Sequence, residues 1–227
     1  MKPARAITTT TILILAGVFC LPVHAANERL PLTMDGLQLL PKSKLAAVYA
    51  DPEADLAVYD SLLLLDAQVA FKKNWQRDIN QGKPFNVRNE DVLRIRKEMA
   101  AQFHEIFTQA LESAGFRLVS EQSPGSLIIR PAILDLNIRS PANAGPTTTR
   151  NISESAGDMT LYLELRDSIT GDVLAKAMDF QFDRSNITTF MMDSTRNERA
   201  ARRILSGWAE VLVNGLEEAG VNTTDRP

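Results

Sequence analysis

The chain has 227 residues, of which 44% are apolar and 23% are charged, with a net charge of −3 and one cysteine. This composition is typical of a soluble globular protein that can bury a core of ordinary size. A mildly acidic chain has no overall electrostatic attraction to nucleic acid, so we expect no nucleic-acid partner. A single cysteine excludes a disulfide framework within the chain.

The first 25 residues have the pattern of a signal peptide. Lys2 and Arg5 precede an apolar run at 7–19, and small residues at Val23 and Ala25 occupy the positions that a signal peptidase reads. The run is shorter than the roughly 20 residues of a spanning helix. We therefore predict a periplasmic or secreted protein that is cleaved near Ala25 and has no transmembrane segment in its mature chain. Removal of the two basic residues changes the net charge from −3 to −5.

Cys20 offers an alternative location, because a lipidated cysteine would anchor the protein to a membrane. A lipoprotein signal has a small residue directly before the cysteine, whereas Phe19 occupies that position here. We therefore expect Cys20 to be removed with the signal peptide. His24 is removed with it, which leaves His104 as the only histidine of the mature chain.

The mature chain begins with a segment that is rich in turn-forming residues. We interpret residues 26–57 as an extended lead-in, residues 58–222 as a single α+β domain, and residues 223–227 as a flexible tail. The unbroken apolar run within 58–71 predicts a buried strand. Apolar residues at spacings of three and four then predict a helix that is capped by Asn89 and ended by Gly115.

Alternating apolar residues predict three further strands. In the stretch 127–139, Pro131 has no backbone N–H, so this strand must have an edge or a bulge there. The next strand, at 159–166, is joined by a tight turn at 168–172 to a strand that places Met178, Phe180 and Phe182 on one face. These three strands precede the last helix.

A second helix is predicted between Thr195 and Gly220, which completes the order β-α-β-β-β-α. Each helix has one apolar face, so one face of the sheet can pack against both helices. The expected fold is an α+β two-layer sandwich, with an antiparallel or mixed sheet of about four strands and two helices on one face.

Motifs for catalysis or cofactor binding are not found in the sequence. The Gly-x-Ser-x-Gly pattern and both glycine-rich phosphate-binding patterns are missing, and a mature chain with one histidine and no cysteine is a poor transition-metal ligand. We therefore expect no catalytic residue, no metal and no cofactor. The two carboxylates of a glycoside hydrolase are paired in space rather than in sequence, so a carboxylate-based hydrolase acting on a cell-wall component stays open as the alternative.

Four arginines at helical spacing form a basic patch at the start of the last predicted helix. Such a face can bind phosphates or an acidic partner, although surface runs of this kind are more often solvated and neutralised by nearby acids. The apolar residues before the helix either plug the sheet or form an exposed partner surface. The candidate partner-binding residues are Arg196, Arg199, Arg202, Arg203, Phe190, Met191 and Met192.

Several short motifs are distributed along the mature chain: Asp35-Gly36-Leu37, Val48-Tyr49-Ala50, Ala54-Asp55-Leu56, Tyr59-Asp60, the segment 71–75, Phe182-Asp183-Arg184, and Trp208 in the last helix. In these motifs the chain resembles domain-of-unknown-function family 3313, whose members are bacterial envelope proteins mostly described as lipoproteins. The resemblance implies an envelope location but no activity, because none is established for the family. Phe19 departs from the family's lipoprotein signal.

Two classes of function follow from the sequence. The first is a non-enzymatic exported envelope protein, a periplasmic binding or accessory module whose partner is an envelope protein or an anionic envelope component. The second is the carboxylate-based hydrolase, which requires a cleft with two close carboxylates, one of them with a raised pKa. An inhibitor of a foreign hydrolase is a further hypothesis, with residues 140–157 as the protruding loop.

Overall fold

The computed structural model describes residues 30–81, 86–138, 157–182 and 194–223, with side chains of the last helix from Glu198 onward. The predicted signal peptide, including Cys20, lies outside the described residues, as do residues 140–156 and the last four residues of the tail. The elements in chain order are β1 (Thr33–Met34), β2 (Leu37–Leu39), β3 (Ala47–Ala50), a short 3-10 helix (Leu56–Val58), β4 (Ser61–Leu64), β5 (Gln68–Phe71), α1 (Trp75–Asn80), α2 (Asn89–Ser113), β6 (Ser126–Ile138), β7 (Gly157–Asp167), β8 (Val173–Phe182) and α3 (Ser194–Glu218).

The strands form one mixed sheet in the order β1-β2-β3-β8-β7-β6-β4, and β5 also pairs with β6. β4 and β5 run parallel to β6, and the other pairs are antiparallel. The fold is α+β, as predicted. The estimate of about four strands was wrong, because the described residues contain eight strands and three helices.

The additional strands come from two segments that were interpreted differently in the sequence. β1, β2 and β3 lie within the segment that was predicted to be an extended lead-in. Asp35 and Gly36, with φ of 52° and 86°, form the turn between β1 and β2, and Asp-Gly with positive φ at both residues is a preferred hairpin turn. Similarly, the single strand predicted within 58–71 divides into β4 and β5.

Pro131 lies where β6 changes its parallel partner. β4 ends with Leu64 paired to Ile129, and β5 begins with Gln68 paired to Ala132. Pro131 falls between these two pairs, at a point where the ladder on that side of β6 is interrupted. Because proline cannot donate a ladder hydrogen bond, this interruption is where β6 tolerates it.

The two long helices cover one face of the sheet. The buried face of α2 consists of Ile95, Met99, Phe103, Phe107 and Leu111. These side chains share one hydrophobic cluster with α3 residues, such as Leu205 and Leu216, and with the alternate leucines of β7. The rings of Phe103 and Phe107 stack with their centroids 3.8 Å apart. The described residues therefore form two layers, a sheet and a helix layer, with the main core between them.

The helix ends agree with the sequence pattern to within one residue. α2 ends at Ser113 and α3 ends at Glu218, and the glycines two residues later, Gly115 and Gly220, have φ of 84° and 80°. This left-handed conformation after a helix is one that glycine adopts without strain. At the start of α2 the capping residue is Arg88 rather than the predicted Asn89.

The opposite face of the sheet carries a polar cluster centred on Glu164. The Glu164 carboxylate accepts hydrogen bonds from Arg166 Nε at 2.8 Å and from the Tyr162 hydroxyl at 2.7 Å, and Arg130 Nη1 lies 3.4 Å from it. Burial of Glu164 raises its pKa, but the hydrogen bonds from Arg166 and Tyr162 and the charges of Arg166 and Arg130 outweigh this effect and hold the pKa below its usual range.

Truncation of the α2 face should strongly destabilise the protein. Phe103 is fully buried, so Phe103→Ala should lower the free energy of unfolding by about 3–5 kcal/mol, because it leaves a cavity against Phe107. Leu93→Ala on the exposed side of α2 serves as the control and should change it by less than about 0.5 kcal/mol. Urea unfolding measures both variants, and equal losses would contradict the assignment of the core face.

The Glu164 cluster should make stability dependent on pH in acid. A carboxyl group with a lowered pKa in the folded state stabilises it above the unfolded pKa of about 4.3, and this contribution is lost as the pH falls through the folded pKa. Glu164→Gln should therefore be less stable than the wild type at pH 7 and should lose less stability between pH 5 and pH 3.

Denaturant unfolding at a series of pH values measures this difference. Glu112→Gln, a change at an exposed glutamate of α2, is the matched control and should keep the slope of the wild type. If Glu164→Gln also kept that slope, the cluster would not be a source of acid sensitivity.

Candidate functional site

A cleft with a volume of about 760 Å³ lies between the end of β8 and one side of α3. Helix α3 contributes five of its lining residues, β8 contributes residues 179–182, and Lys44 and Leu45 come from the chain just before β3. The residues from α3 are Arg203, Ile204, Gly207, Trp208 and Val211. A volume of this size is within the range of sites that bind small molecules or short segments of chain.

The carboxylate of Asp179 holds the walls of the cleft together. Its Oδ2 accepts hydrogen bonds from Trp208 Nε1 at 2.8 Å and from Gln181 Nε2 at 2.7 Å, and its Oδ1 accepts one from the Ala46 backbone N–H at 3.0 Å. Asp179 is only 6% exposed, and these three donors satisfy it in place of water. The bonds link β8 to α3 and to the start of β3, so Asp179 is a positioning residue.

Strand β8 extends past its neighbour β3 at the cleft. β3 begins at Ala47, which pairs with Met178. Residues 179–182 are paired with β7 on one side, and no strand in the described part of the chain pairs with them on the other side. We call these four residues the β8 edge.

The face of β8 that points away from the helices is apolar at this end. Phe180 and Phe182 are 53% and 42% exposed, and their ring centroids are 6.2 Å apart. They share one face of the strand with Met178, as predicted. That face lies opposite the main core, because Asp179 pairs with Leu161, which belongs to the core.

Only part of the predicted arginine patch lies at the cleft. Arg203 lines the cleft, and Arg199 is exposed on the preceding turn. Arg202 lies 3.4 Å from Glu198 and 3.5 Å from Glu105 of α2, and these carboxylates raise its pKa above its usual value. It therefore connects the two helices. The Arg196 side chain lies outside the described residues, as do Phe190, Met191 and Met192.

Of the eleven residues that line the cleft, reasoning from the sequence proposed only Arg203 as a site residue. Lys44 lies in the segment that was interpreted as an extended lead-in. Asp179 carries a detectable signal, since it is an acidic residue directly between the apolar residues Met178 and Phe180. Gly207 widens the cleft, because a Cβ added there would have no atom within 4 Å.

The two buried carboxylates, Glu164 and Asp179, lie on opposite faces of the sheet. Glu164 pairs with Lys176 and lies on the face away from the helices, whereas Asp179 pairs with Leu161 on the helix-covered face. Among residues 30–81, 86–138, 157–182 and 198–223, no group of three His, Cys, Asp or Glu side chains is arranged to hold a metal ion. The helices of this described part include none with the length and apolarity needed to cross a membrane.

A comparison with solved structures found matches of low similarity from several bacteria. The PelC dodecamer from Paraburkholderia phytofirmans is 12% identical, with a TM-score of 0.35 over 70% of this chain and 96% of that chain. A minor lipoprotein from Acinetobacter baumannii is 10% identical, with a TM-score of 0.35 over 71% and 94%. A DUF4136 family protein from Bacteroides thetaiotaomicron is 12% identical, with a TM-score of 0.36 over 81% and 98%. Similarity at this level does not extend to function.

A comparison with curated proteins found no match. The family model described as "protein of unknown function (DUF3313)" matches residues 34–212, a range that begins in β1 and ends within α3. The match includes the β8 edge and the part of α3 that lines the cleft. Since it covers most of the chain, the protein belongs to the DUF3313 family.

Proposed function

We propose that the chain is a non-enzymatic binding module of the bacterial cell envelope and that the cleft beside the β8 edge is its binding site. The observation that carries this proposal is the construction of the cleft. Its apolar wall is formed by α3, Lys44 and Arg203 supply positive charge, and its buried carboxylate, Asp179, is satisfied by three donors of the chain itself. The envelope location is supported by the signal-peptide pattern at 1–25.

The buried carboxylates support binding rather than hydrolysis. A carboxylate-based hydrolase uses two carboxyl groups close together, one of them with a raised pKa. Glu164 and Asp179 lie on opposite faces of the sheet, and the pKa of Glu164 is lowered. Each carboxylate also has a structural role, because Glu164 pairs with arginines of the sheet and Asp179 joins β8 to α3.

The charges around the cleft favour an anionic ligand. Lys44 and Arg203 line it, and the exposed Arg199 lies one turn before Arg203 on α3. Cations on the wall of a concave site attract anions and bind carboxylates or phosphates. The side chains of Ile204 and Val211 add apolar surface beside these charges, so the ligand should combine negative charge with apolar groups. An acidic region of an envelope protein or an anionic envelope component has this chemistry.

Filling the cleft from within α3 should abolish binding without harming the fold. Gly207→Leu places a side chain in open space, and leucine is a better helix former than glycine by about 0.5–1 kcal/mol. We expect a photo-crosslinking amino acid at position 211 of the exported protein to form a discrete adduct in cells. This adduct should disappear when Gly207→Leu is added.

Gly215→Leu is the matched control, because Gly215 lies in the same helix, also has open space around it and does not line the cleft. It should leave the adduct intact, and thermal unfolding should show that both variants are folded. An adduct that survives Gly207→Leu, or no adduct at position 211, would exclude the cleft as the binding site.

A further inference from the structure

We infer that the protein binds a second copy of itself head to tail, through a basic end of one copy and the acidic end of the next. The basic end consists of Lys72 and Lys73, which follow β5, and of Leu93, Arg96 and Lys97 on the exposed side of α2. The acidic end consists of the segments 51–60, 167–172 and 217–223. The residues that line the cleft are not needed for this contact, so it goes beyond the proposed function.

The basic end joins the chain after β5 to the side of α2. Arg96 reaches from α2 over the ring of Phe71, with its Cζ 5.9 Å from the ring centroid, and the exposed Lys72 and Lys73 follow Phe71 directly. Within the described part of the chain, Lys72, Lys73 and Lys97 have no ion-pair partner. Their charges are therefore available to an anionic surface.

An apolar side chain lies among these cations. Leu93 is 63% exposed, although leucine is usually buried. Arg96 and Lys97 follow it by three and four residues, so both are its neighbours on the surface of the helix. Glu90, one turn before Leu93, is also exposed, and the four cations leave this surface with a net positive charge. The basic end thus has an apolar centre and a cationic rim.

The acidic end is assembled from three distant parts of the chain. Together they contain eight Asp and Glu residues and no Lys or Arg. The hydroxyl of Tyr59 donates a hydrogen bond to Asp167 Oδ2 at 2.8 Å, which joins the first segment to the second. Asn222 Nδ2 donates to the carbonyl of Ala57 at 2.8 Å, which joins the third segment to the first. The eight carboxylates are therefore concentrated at one end of the fold.

Exposed apolar side chains also lie among the carboxylates of the acidic end. Val58 is 65% exposed and Ile169 is 64% exposed, and they belong to the two segments that the tyrosine bond joins. Arg117, in the chain after α2, pairs with Asp60 at 2.7 Å, so it offsets one of the eight negative charges. This end is the counterpart of the basic end, with an apolar centre and an anionic rim.

The two ends are separated by the length of α2. This helix has 25 residues, which corresponds to roughly 37 Å. Soon after it, the carbonyl of Arg117 accepts a hydrogen bond from the Leu62 N–H at 2.9 Å, close to the segment 51–60. α3 also ends at the acidic end, with Glu217 and Glu218. Neither helix has a basic residue in its last turn, and the helix dipole disfavours carboxylates there, so helix stability does not account for this charge.

A second copy of the chain matches both ends at once. Apolar centres with rims of opposite charge are complementary in the way that protein interfaces are. An anionic membrane would match the basic end but would leave the exposed Val58 and Ile169 of the acidic end without a role. Because the contact joins two different surfaces, each bound copy keeps one end of each kind for a further copy, and the assembly closes as a ring or continues as an open chain.

Sedimentation velocity of the purified exported protein tests this contact. At about 20 mM salt the average mass should rise with protein concentration, and about 500 mM salt should reverse the association by screening the charges. Lys97→Glu should raise the dissociation constant roughly fivefold, because it replaces attraction by repulsion. Lys42→Glu, a matched change at an exposed lysine outside both ends, should leave the dissociation constant within about twofold.

Exchange of charge between the two ends tests which surfaces meet. Lys73→Glu with Lys97→Glu makes the basic end acidic, and Glu53→Lys with Glu218→Lys makes the acidic end basic. Each double variant alone has like charges at both ends and should stay monomeric at low salt. An equimolar mixture should associate, because each end of one variant then meets an opposite charge on the other. The mixture has the average net charge of the wild type, so overall charge would not explain its association.

Three results would overturn the inference. The first is a wild type that stays monomeric at low salt at every concentration, and the second is a mixture of folded double variants that associates no better than each variant alone. The third is a monomer that binds vesicles of anionic lipid and loses this binding with Lys97→Glu, which would assign the basic end to a membrane. Thermal unfolding of each variant shows whether it is folded.

Discussion

The described structure depends on one constraint, which is that helices bury only one of the two faces of its sheet. The helices cover one face of an eight-stranded sheet, so the alternate side chains of every central strand face either the core or the opposite surface. On the covered face, leucines and isoleucines meet the aromatic residues of α2. On the other face, Glu164 is buried only because arginines and a tyrosine satisfy its carboxylate. The same alternation leaves Phe180 and Phe182 exposed at the end of β8.

The cleft is a consequence of unequal strand lengths. β8 has 10 residues and β3 has four, so the two cannot match along their whole length. The end of β8 pairs with β7 on one side and is held against α3 by the bond from Trp208 to Asp179. A short neighbour and a buried carboxylate together therefore form a concave surface with a strand edge as one wall. A substitution that shifted the pairing register between β3 and β8 would also move the residues of this surface.

Elements that local interactions stabilise were predicted from the sequence, whereas elements that depend on distant partners were not. α2 and the β7–β8 hairpin were predictable because periodicity and local turn residues determine them. β1 to β3 were missed, although the Asp35-Gly36 turn was visible, because they join the sheet only through the pairing of β3 with the distant β8. Arg203 was found from its spacing to other arginines. Lys44 and Asp179 were not assigned to the site, because only the β3–β8 pairing brings them together.

The distance in sequence between β3 and β8 has a consequence for how the chain folds. The bond between Ala46 and Asp179 joins positions 133 residues apart, and β3 gains its β8 partner only after β8 has been synthesised. Contacts of such long range close large loops and form slowly. A chain synthesised from its N-terminus therefore presents β1 to β3, which pair only with one another, without the β8 partner of β3 until β8 emerges. During that interval these strands are exposed to association with other chains, so a chaperone that shields them should increase the yield of native protein.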